Sequence, residues 1–345
     1  MPHRKAMGLA AFAVAAVGGT ALGVLADRRI SAELEQDDPL ARQLAAPLPS
    51  EPVAVTAADG TVLHAEVHGP EQAPTLLFVH GLALNQSVWQ YQRRALGERF
   101  RVVSFDLRGH GESQPAGTGG YSLAALAGDL SAVVQRCVPA NGQVVLVGHS
   151  LGGMAVLECT RLHREELGER LAGVVLLNTA ASAVVSGLSL SSLLAGASIV
   201  RARAARMPLL RRASPDPPHD LSFLLTNAFG LHPDAPAAVV AYVERLTLSC
   251  SPTVTAALWS TVSGVNVLPA ARALNVPALV LAGEHDRLTP SKQARRLARE
   301  LEGGSIVELV GAGHTTMLEA PDEVCRQLER FADEVLSARS SPRSA

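Results

Sequence analysis

The sequence predicts an α/β protein in which helices cover both faces of a mostly parallel β-sheet, with a helical cap inserted late in the chain. Apolar runs alternate with helical patterns along most of its length, which is typical of a parallel sheet. The runs are nearly continuous, as expected of strands that are buried on both faces. From about 183 to 266 the strand-like runs stop and helix starts replace them. A chain of 345 residues, 48% of them hydrophobic, is long enough for one large domain with such an insertion.

Charge and cysteine content narrow the class of protein further. The formal net charge is −2, so nothing indicates a nucleic-acid partner. No two cysteines form a C-x-x-C pair, and each lies in an apolar or helical context, which is typical of buried thiols. We therefore expect no metal site, no disulfide framework and no cofactor. The four cysteines are Cys137, Cys159, Cys250 and Cys325.

Eight strands are predicted. Residues 52–69 contain a hairpin signal at Asp59-Gly60 with apolar residues on both sides, and they supply the first two strands. The carboxyl ends of the parallel strands meet at one edge of the sheet, which is where ligands bind in such proteins. The remaining strands are predicted in 74–81, 101–113, the run that starts at Val144, 172–180, 276–286 and 305–314.

Helical patterns separate these strands. The third one is predicted to start with Thr289 as N-cap and Pro290 at the first helical position, since proline is tolerated there. The four patterns cover 123–138, 154–167, 290–301 and 321–338. Within the insertion, helix starts are predicted at Asp220, at Asp234 with Pro236, and at Ser251 with Pro252.

The N-terminus resembles a membrane-targeting segment. Residues 3–5 are His-Arg-Lys, residues 6–26 carry no charge, and Asp-Arg-Arg follows. About 20 apolar residues can span a bilayer, so this segment is predicted to be an uncleaved anchor or a secretory signal. Basic residues flank both ends, so the sequence does not predict on which side of the membrane the rest of the chain lies. We expect a membrane-anchored or exported protein.

The chain therefore divides into five predicted parts. Five arginines follow the apolar stretch 188–200, and the sequence leaves open whether they form a solvated helix face or a surface that contacts anionic lipid. The predicted parts are an anchor or signal segment at 1–29, a linker at 30–50, a core at 51–182 and 267–338, a cap at 183–266, and a disordered tail at 339–345.

Ser150 is the candidate nucleophile. It stands in "GHSLG" at 148–152, between an apolar strand and an apolar helical pattern. A G-x-S-x-G turn between strand and helix exposes a serine oxygen above the sheet in a strained backbone conformation. Glycines at such a place also serve simple tight turns, and a serine there also caps helices, so the assignment depends on the rest of the chain.

A base and an orienting acid follow in the expected order. His314 lies at the end of the last predicted strand and Asp286 ends the one before it, so both share an edge of the sheet with Ser150. Glu284 is a weaker alternative, because it lies inside the strand. In some sheets of this kind the acid follows the earlier strand, but Asn178 occupies that place and an amide cannot take this role. Backbone N–H groups of Leu82 and Leu151 are the predicted oxyanion donors.

These segments together resemble the α/β-hydrolase superfamily. "HGLALNQSVW", "FDLRGHGES", "GHSLGG", "GEHDRLTP" and "GAGHTTMLEAP" occur in that family's order, over about residues 50–338. The resemblance implies the α/β-hydrolase fold, a mostly parallel eight-stranded sheet flanked by helices with an inserted helical cap. With its N-terminal segment the chain is similar to bacterial membrane-associated members of the superfamily, serine esterases and lipases among them.

The resemblance implies a serine hydrolase that cleaves a carboxylic ester, a small molecule or an acyl lipid, through an acyl-enzyme. Carbon–carbon bond hydrolases, enol-lactonases and cofactor-free haloperoxidase-like enzymes use the same three residues, and they stay open as alternatives. A non-catalytic binding protein is the alternative from another class, and the presence of all three residues speaks against it. Relatives with an aspartate nucleophile do not fit, because Ser150 occupies that position.

Overall fold

The computed structural model describes residues 38–117, 119–182 and 230–340, and of residues 339 and 340 only the backbone. The segment predicted as anchor or signal, the arginine-rich part of the cap and the last five residues lie outside this part of the chain. Within it, no helix is long and apolar enough to cross a membrane.

The described strands form one mixed sheet in the order β1-β2-β4-β3-β5-β6-β7-β8. The first two strands pair with each other and with β4 in antiparallel fashion, and all other neighbours are parallel. The predicted eight-stranded, mostly parallel sheet is therefore confirmed. The strands are β1 (Glu51–Thr56), β2 (Val62–His68), β3 (Thr75–Val79), β4 (Arg101–Phe105), β5 (Val144–His149), β6 (Leu171–Leu177), β7 (Ala278–Gly283) and β8 (Ser305–Leu309).

Helices number eleven along the described part of the chain, and two short 3₁₀ turns lie at Gln86–Trp89 and Gly168–Arg170. The helices are α1 (Pro39–Ala45), α2 (Gln90–Leu96), α3 (Leu123–Cys137), α4 (Leu151–Leu162), α5 (Arg164–Leu167), α6 (Ala237–Ser249), α7 (Pro252–Ser263), α8 (Leu268–Ala273), α9 (Ser291–Glu300), α10 (Thr316–Glu319) and α11 (Pro321–Ser340).

A hydrophobic core lies on each face of the sheet. Leu77 on β3 faces one core, and its neighbours Leu76 and Phe78 face the other, as strand alternation requires. The first core packs α3, α4, α7, α8 and α9 onto the sheet. The second packs α1, α2, α6, α10 and α11. Both faces of the central strands are thus apolar, which explains their continuous hydrophobic runs.

Part of the segment predicted as a linker is a helix docked on the core. Asp38 caps α1 by accepting from the backbone N–H of Leu40 at 2.8 Å, and proline occupies the first helical position. Leu44 is 1% exposed in the second core, and the Gln90 side-chain amide donates to the Ala46 carbonyl at 2.6 Å. The linker prediction for 30–50 therefore does not hold for Pro39–Ala45.

The described end of the predicted cap is helical. Helix α6 begins directly after Pro236 and α7 begins at Pro252, the two prolines that the sequence singled out. The start predicted at Asp220 falls outside the described residues. Helix α6 packs against α1, so the docked N-terminal helix contacts the insertion directly.

Several predicted helix ends differ from the structure. Helix α4 begins at Leu151, directly after Ser150, and ends at Leu162. Helix α9 has Pro290 as its N-cap, so the prediction of Thr289 as N-cap was wrong. The Thr289 hydroxyl is engaged elsewhere, with the Asp286 carboxylate and the Asn178 carbonyl. Helix α11 continues to Ser340, so the predicted disordered tail does not begin at 339.

A buried ion pair fastens the hairpin of β1 and β2 to α3. Arg108, whose side chain is 2% exposed, donates two hydrogen bonds of 2.6 Å to the fully buried Asp129 carboxylate. It also donates to Asp59 at 2.8 Å and to the Gly120 carbonyl at 2.7 Å. The pair is satisfied on both sides, and losing one partner would leave an uncompensated buried charge.

We expect Asp129→Ala to lower the free energy of unfolding by about 3–5 kcal/mol, because the buried Arg108 guanidinium loses its two hydrogen bonds to a fully buried carboxylate. Equilibrium urea denaturation checks this. Asp333→Ala is the matched control, since Asp333 pairs with Arg99 at 2.7 Å on the surface with both side chains more than half exposed. That change should cost no more than about 1 kcal/mol. Equal losses in the two variants would contradict the assignment of a stabilising buried pair.

Candidate active site

The candidate site lies where the strand order of the sheet reverses. The chain passes from β3 outwards to β4 and then returns to β5 on the other side of β3. Such a reversal opens a crevice at the carboxyl ends of the two strands. The end of β3 leads into the loop with Leu82, and the end of β5 leads into Ser150. The sheet topology alone therefore places the loop with Leu82 next to Ser150.

Ser150 adopts the strained backbone conformation predicted for it. Its φ is 53° and its ψ is −118°, a conformation that costs a non-glycine residue of order 1–3 kcal/mol. The surroundings fix it: its N–H donates to the Leu177 carbonyl at 2.9 Å, and its carbonyl accepts from Gly153 and Met154. The Thr179 hydroxyl also donates to that carbonyl. The serine oxygen is thereby held at the tip of the strand, ahead of α4.

The glycines around Ser150 are required by close backbone contacts. A Cβ on Gly148 would lie 2.6 Å from the Cα of Gly153, and one on Gly152 would lie 2.4 Å from the Val79 carbonyl oxygen. Real Cβ atoms do not approach other atoms so closely. Helix α4 therefore starts against both β5 and the end of β3, which explains the spacing of the glycines about the serine.

Asp286 and His314 form a hydrogen-bonded pair. The Nδ1 atom of His314 lies 2.9 Å from Oδ2 of Asp286, and the two side chains are 9% and 0% exposed. Burial opposes ionisation of Asp286, but the adjacent His314 and the hydrogen bonds from Thr289 outweigh it and hold the pKa of Asp286 below its usual value. The carboxylate is thus ionised and aligned with the imidazole.

Asp286 receives a full set of hydrogen bonds. Its Oδ1 accepts from the backbone N–H groups of Leu288 and Thr289 at 2.9 and 2.8 Å. Its Oδ2, which faces His314, also accepts from the Thr289 hydroxyl at 2.6 Å and the Asn178 amide at 2.8 Å. These donors stabilise the charged form and fix the carboxylate plane.

The alternative acid, Glu284, is not brought to the histidine. Its side chain is half-exposed, and its Oε2 accepts from the Gly311 N–H at 3.2 Å and lies 3.6 Å from His285. Among the described residues no hydrogen bond joins the Ser150 hydroxyl to His314. Contacts of this kind often form only when substrate is bound.

The loop after β3 lies against the serine. A Cβ on Gly81 would be 3.1 Å from the Cβ of Ser150. Leu82 is the next residue in the chain, so its backbone N–H is close to the nucleophile. Leu151 is the first residue of α4, and the first N–H groups of a helix have no intrahelical acceptor. In the described part of the chain, the N–H groups of Leu82 and Leu151 donate no hydrogen bond. Both are therefore available to an oxyanion.

Two buried neutral histidines shape this loop. The Nε2 atom of His80 accepts from the Leu107 N–H at 2.9 Å, and that of His110 accepts from the Ala83 N–H at 3.1 Å. Burial lowers the pKa of His110 to about 4 and that of His80 well below its usual value. Ala83 is held at a positive φ of 57°. His80 after β3 and His110 after β4 thus fasten the loops at the ends of these two strands to each other.

Asn178 is a site residue that sequence reasoning set aside. It lies just after β6 with a positive φ of 45°, and its amide donates to Asp286 and to the Gly313 carbonyl, at 2.8 and 3.1 Å. The Thr316 hydroxyl donates to its side-chain oxygen at 2.7 Å. An amide cannot replace the acid, but here it supports the acid and the histidine loop together. The sequence feature that could have indicated a role for Asn178 is its position directly after a buried strand, at the edge of the sheet that carries Ser150.

The chemistry available at this edge is nucleophilic. A strained serine, two free N–H groups and a hydrogen-bonded carboxylate–imidazole pair are the parts needed for acyl transfer. No group of three His, Cys, Asp or Glu side chains within the described ranges is arranged to hold a metal ion. Fold and site together define the class as a hydrolase.

Comparison with known proteins identifies the family. Residues 76–327 match the sequence model of the alpha/beta hydrolase family, and the chain belongs to it. "AB hydrolase superfamily protein YisY" of Bacillus subtilis is 24% identical over 259 residues, which is 75% of this chain and 91% of that protein. "3-Oxoadipate enol-lactonase 2" of Acinetobacter baylyi is 26% identical over 267 residues, covering 76% and 90%. Some matches are shorter, and that with "3-oxoadipate enol-lactonase 1" of the same organism covers 23% of that enzyme.

Among solved structures, a thermophilic esterase from Thermogutta terrifontis superposes with a TM-score of 0.63 and is 27% identical. The alignment covers 83% of this chain and 99% of the esterase. The similarity therefore extends over the whole of that enzyme, and the chain described here is longer.

Proposed function

We propose that this hydrolase cleaves carboxylic esters with Ser150 as nucleophile, His314 as base and Asp286 as orienting acid. The observation that carries the proposal is the buried Asp286–His314 pair, 2.9 Å apart, on the same sheet edge as a serine held at a positive φ. The similarity to the Thermogutta terrifontis esterase supports an ester substrate.

In the first half of the reaction, the Ser150 hydroxyl attacks the ester carbonyl carbon as His314 takes its proton. Asp286 bonds Nδ1 of the imidazole, which leaves Nε2 free to act as base and stabilises the imidazolium that forms. The N–H groups of Leu82 and Leu151 stabilise the oxyanion. Collapse of the tetrahedral intermediate expels the alcohol, which receives its proton from His314, and leaves an acyl-serine.

In the second half, His314 removes a proton from water, and the resulting hydroxide attacks the acyl-serine carbonyl. The oxyanion again lies at the same two N–H groups. Collapse releases the carboxylic acid and returns the proton to Ser150. The described residues thus supply every proton transfer in the cycle.

Fluorophosphonate labelling followed by a panel of substrates tests the proposal. We expect labelling of Ser150 and turnover of p-nitrophenyl esters, with the best acyl-chain length read from kcat/KM. The panel also holds an enol-lactone, a carbon–carbon hydrolase substrate and a peroxide–halide assay. Labelling with turnover of only one of those would favour the corresponding alternative. Absence of labelling in folded protein would favour a binding protein.

We further propose that residues 6–26 hold the enzyme at a membrane or direct its export, and that its substrates include acyl lipids. The uncharged length of that segment, flanked by basic residues, supports this part. Expression of the full chain with membrane fractionation tests it: we expect activity in the membrane fraction or outside the cytoplasm, and a chain that begins at Asp38 should lose this distribution. Retention of the distribution by the shortened chain would contradict the proposal.

A further inference from the structure

The loop that carries His314 has no regular secondary structure, yet its backbone polar groups are bound by specific partners. The Gly313 carbonyl accepts from Asn178 at 3.1 Å, and the His314 carbonyl lies 2.9 Å from Nε2 of His149. The His314 N–H donates to the Gly230 carbonyl at 3.1 Å. A catalytic base must be held in a narrow geometry. The partners that fix this backbone therefore affect how well His314 is positioned.

The two N–H groups on either side of His314 share one acceptor, the Glu319 carboxylate. Gly313 donates to its Oε2 at 3.0 Å, and Thr315 donates to its Oε1 at 2.9 Å. The Thr315 hydroxyl adds a bond of 3.0 Å to Oε1. Glu319 ends the single turn of α10, so the carboxylate reaches back across that turn to the residues that precede it.

The same carboxylate also binds the insertion. The backbone N–H of His232 donates to Oε2 of Glu319. A Cβ on Gly313 would lie 2.5 Å from that His232 nitrogen, so the histidine loop and the start of the described cap segment are in direct backbone contact. Glu319 therefore joins three backbone donors, two from the histidine loop and one from the cap.

We infer that Glu319 is a positioning residue. Its carboxylate fixes the backbone on both sides of His314, which keeps the imidazole aligned with Asp286, and it links this backbone to the cap. This inference rests on the proposed serine esterase function. An ionised carboxylate accepts at both oxygens and donates at neither. A glutamine has the same shape but carries one NH₂ group, so whichever way it lies, at least one backbone N–H of this set loses its acceptor.

The test compares Glu319→Gln with wild type in the full chain. We expect kcat for a p-nitrophenyl ester to fall about 10-fold to 100-fold, since small displacements of catalytic groups cost this much, while KM changes little. The fluorophosphonate labelling rate should fall with kcat, and the far-downfield proton resonance of the Asp286–His314 hydrogen bond should shift or broaden. Glu323→Gln is the matched control and should behave as wild type, because among the described residues Glu323 pairs only with its helical neighbours Arg326 and Gln327.

Thr315 supplies a second, milder test in case Glu319→Gln fails to fold. Thr315→Val removes one of the four donors to Glu319 and should lower kcat, whereas Thr315→Ser keeps the hydroxyl and should restore it. Wild-type kcat, labelling rate and downfield resonance in folded Glu319→Gln, or equal kcat in the two Thr315 variants, would overturn the inference. An unlabelled wild-type protein would instead overturn the proposed function, so the two failures are distinguishable.

Discussion

Ser150→Ala should abolish ester turnover and fluorophosphonate labelling while the protein stays folded. Removal of the hydroxyl leaves the oxyanion donors and the Asp286–His314 pair in place but no nucleophile, so we expect kcat to fall by a factor on the order of 10³–10⁶. The measurement is steady-state hydrolysis of the best ester from the panel. Circular dichroism and thermal unfolding establish that the variant is folded.

A buried serine outside the site provides the control for this prediction. Ser104 on β4 is fully buried and donates to the Gln86 side chain at 2.8 Å. Ser104→Ala removes a hydroxyl from the same sheet, and we expect it to keep most of the activity. Unchanged turnover in folded Ser150→Ala would contradict the assignment of Ser150 as the nucleophile.

Asp286→Asn should lower kcat roughly 10⁴-fold, because the asparagine no longer fixes the tautomer of His314 or stabilises the imidazolium. The carboxylate that is lost accepts hydrogen bonds on both oxygens, and an amide NH₂ group cannot accept at either place. Stopped-flow or steady-state ester hydrolysis at saturating substrate measures the loss in kcat.

Glu284→Gln is the matched control for the acid, since Glu284 lies two residues away with its side chain half-exposed. We expect this change to cost little activity. A large loss in Glu284→Gln together with a small one in Asp286→Asn would reassign the acid, and similar losses in both would mean that neither alone orients the histidine.

The sheet was predictable because its strands are buried on both faces. Every residue of β5 and β7 is buried; β5 is apolar from Val144 to Val147 before Gly148 and His149, and β7 is apolar up to Gly283, so in both strands a glycine marks the sheet edge. The short helices were not predictable: α1, α2, α8 and α10 have seven residues or fewer, too few for a helix to be stable alone. They form because the core packs them, as the fully buried Trp89 ahead of α2 illustrates.

The candidate site was predictable only in part. Ser150, Asp286 and His314 each follow a strand in the expected order, so a chain-order argument suffices to find them. Asn178 bonds Asp286 across 108 positions, and Glu319 bonds the backbone N–H of His232 across 87. No local pattern specifies such pairs. The wrong N-cap at Thr289 has a local cause: its hydroxyl bonds the Asp286 carboxylate, three residues earlier, in preference to the helix start.

Docking of α1 on the core limits how far the enzyme can work from a membrane. If residues 6–26 lie in the bilayer, as proposed, residues 27–37 are all that separates them from Asp38, the N-cap of α1. Fully extended, that stretch reaches no more than about 40 Å. The catalytic edge would then sample a thin layer of solution next to the lipid surface. A substrate that desorbs from the bilayer would meet the enzyme before it mixes with the bulk solution. The rate of encounter would then depend on the amount of substrate per unit area of membrane rather than on its concentration in the bulk.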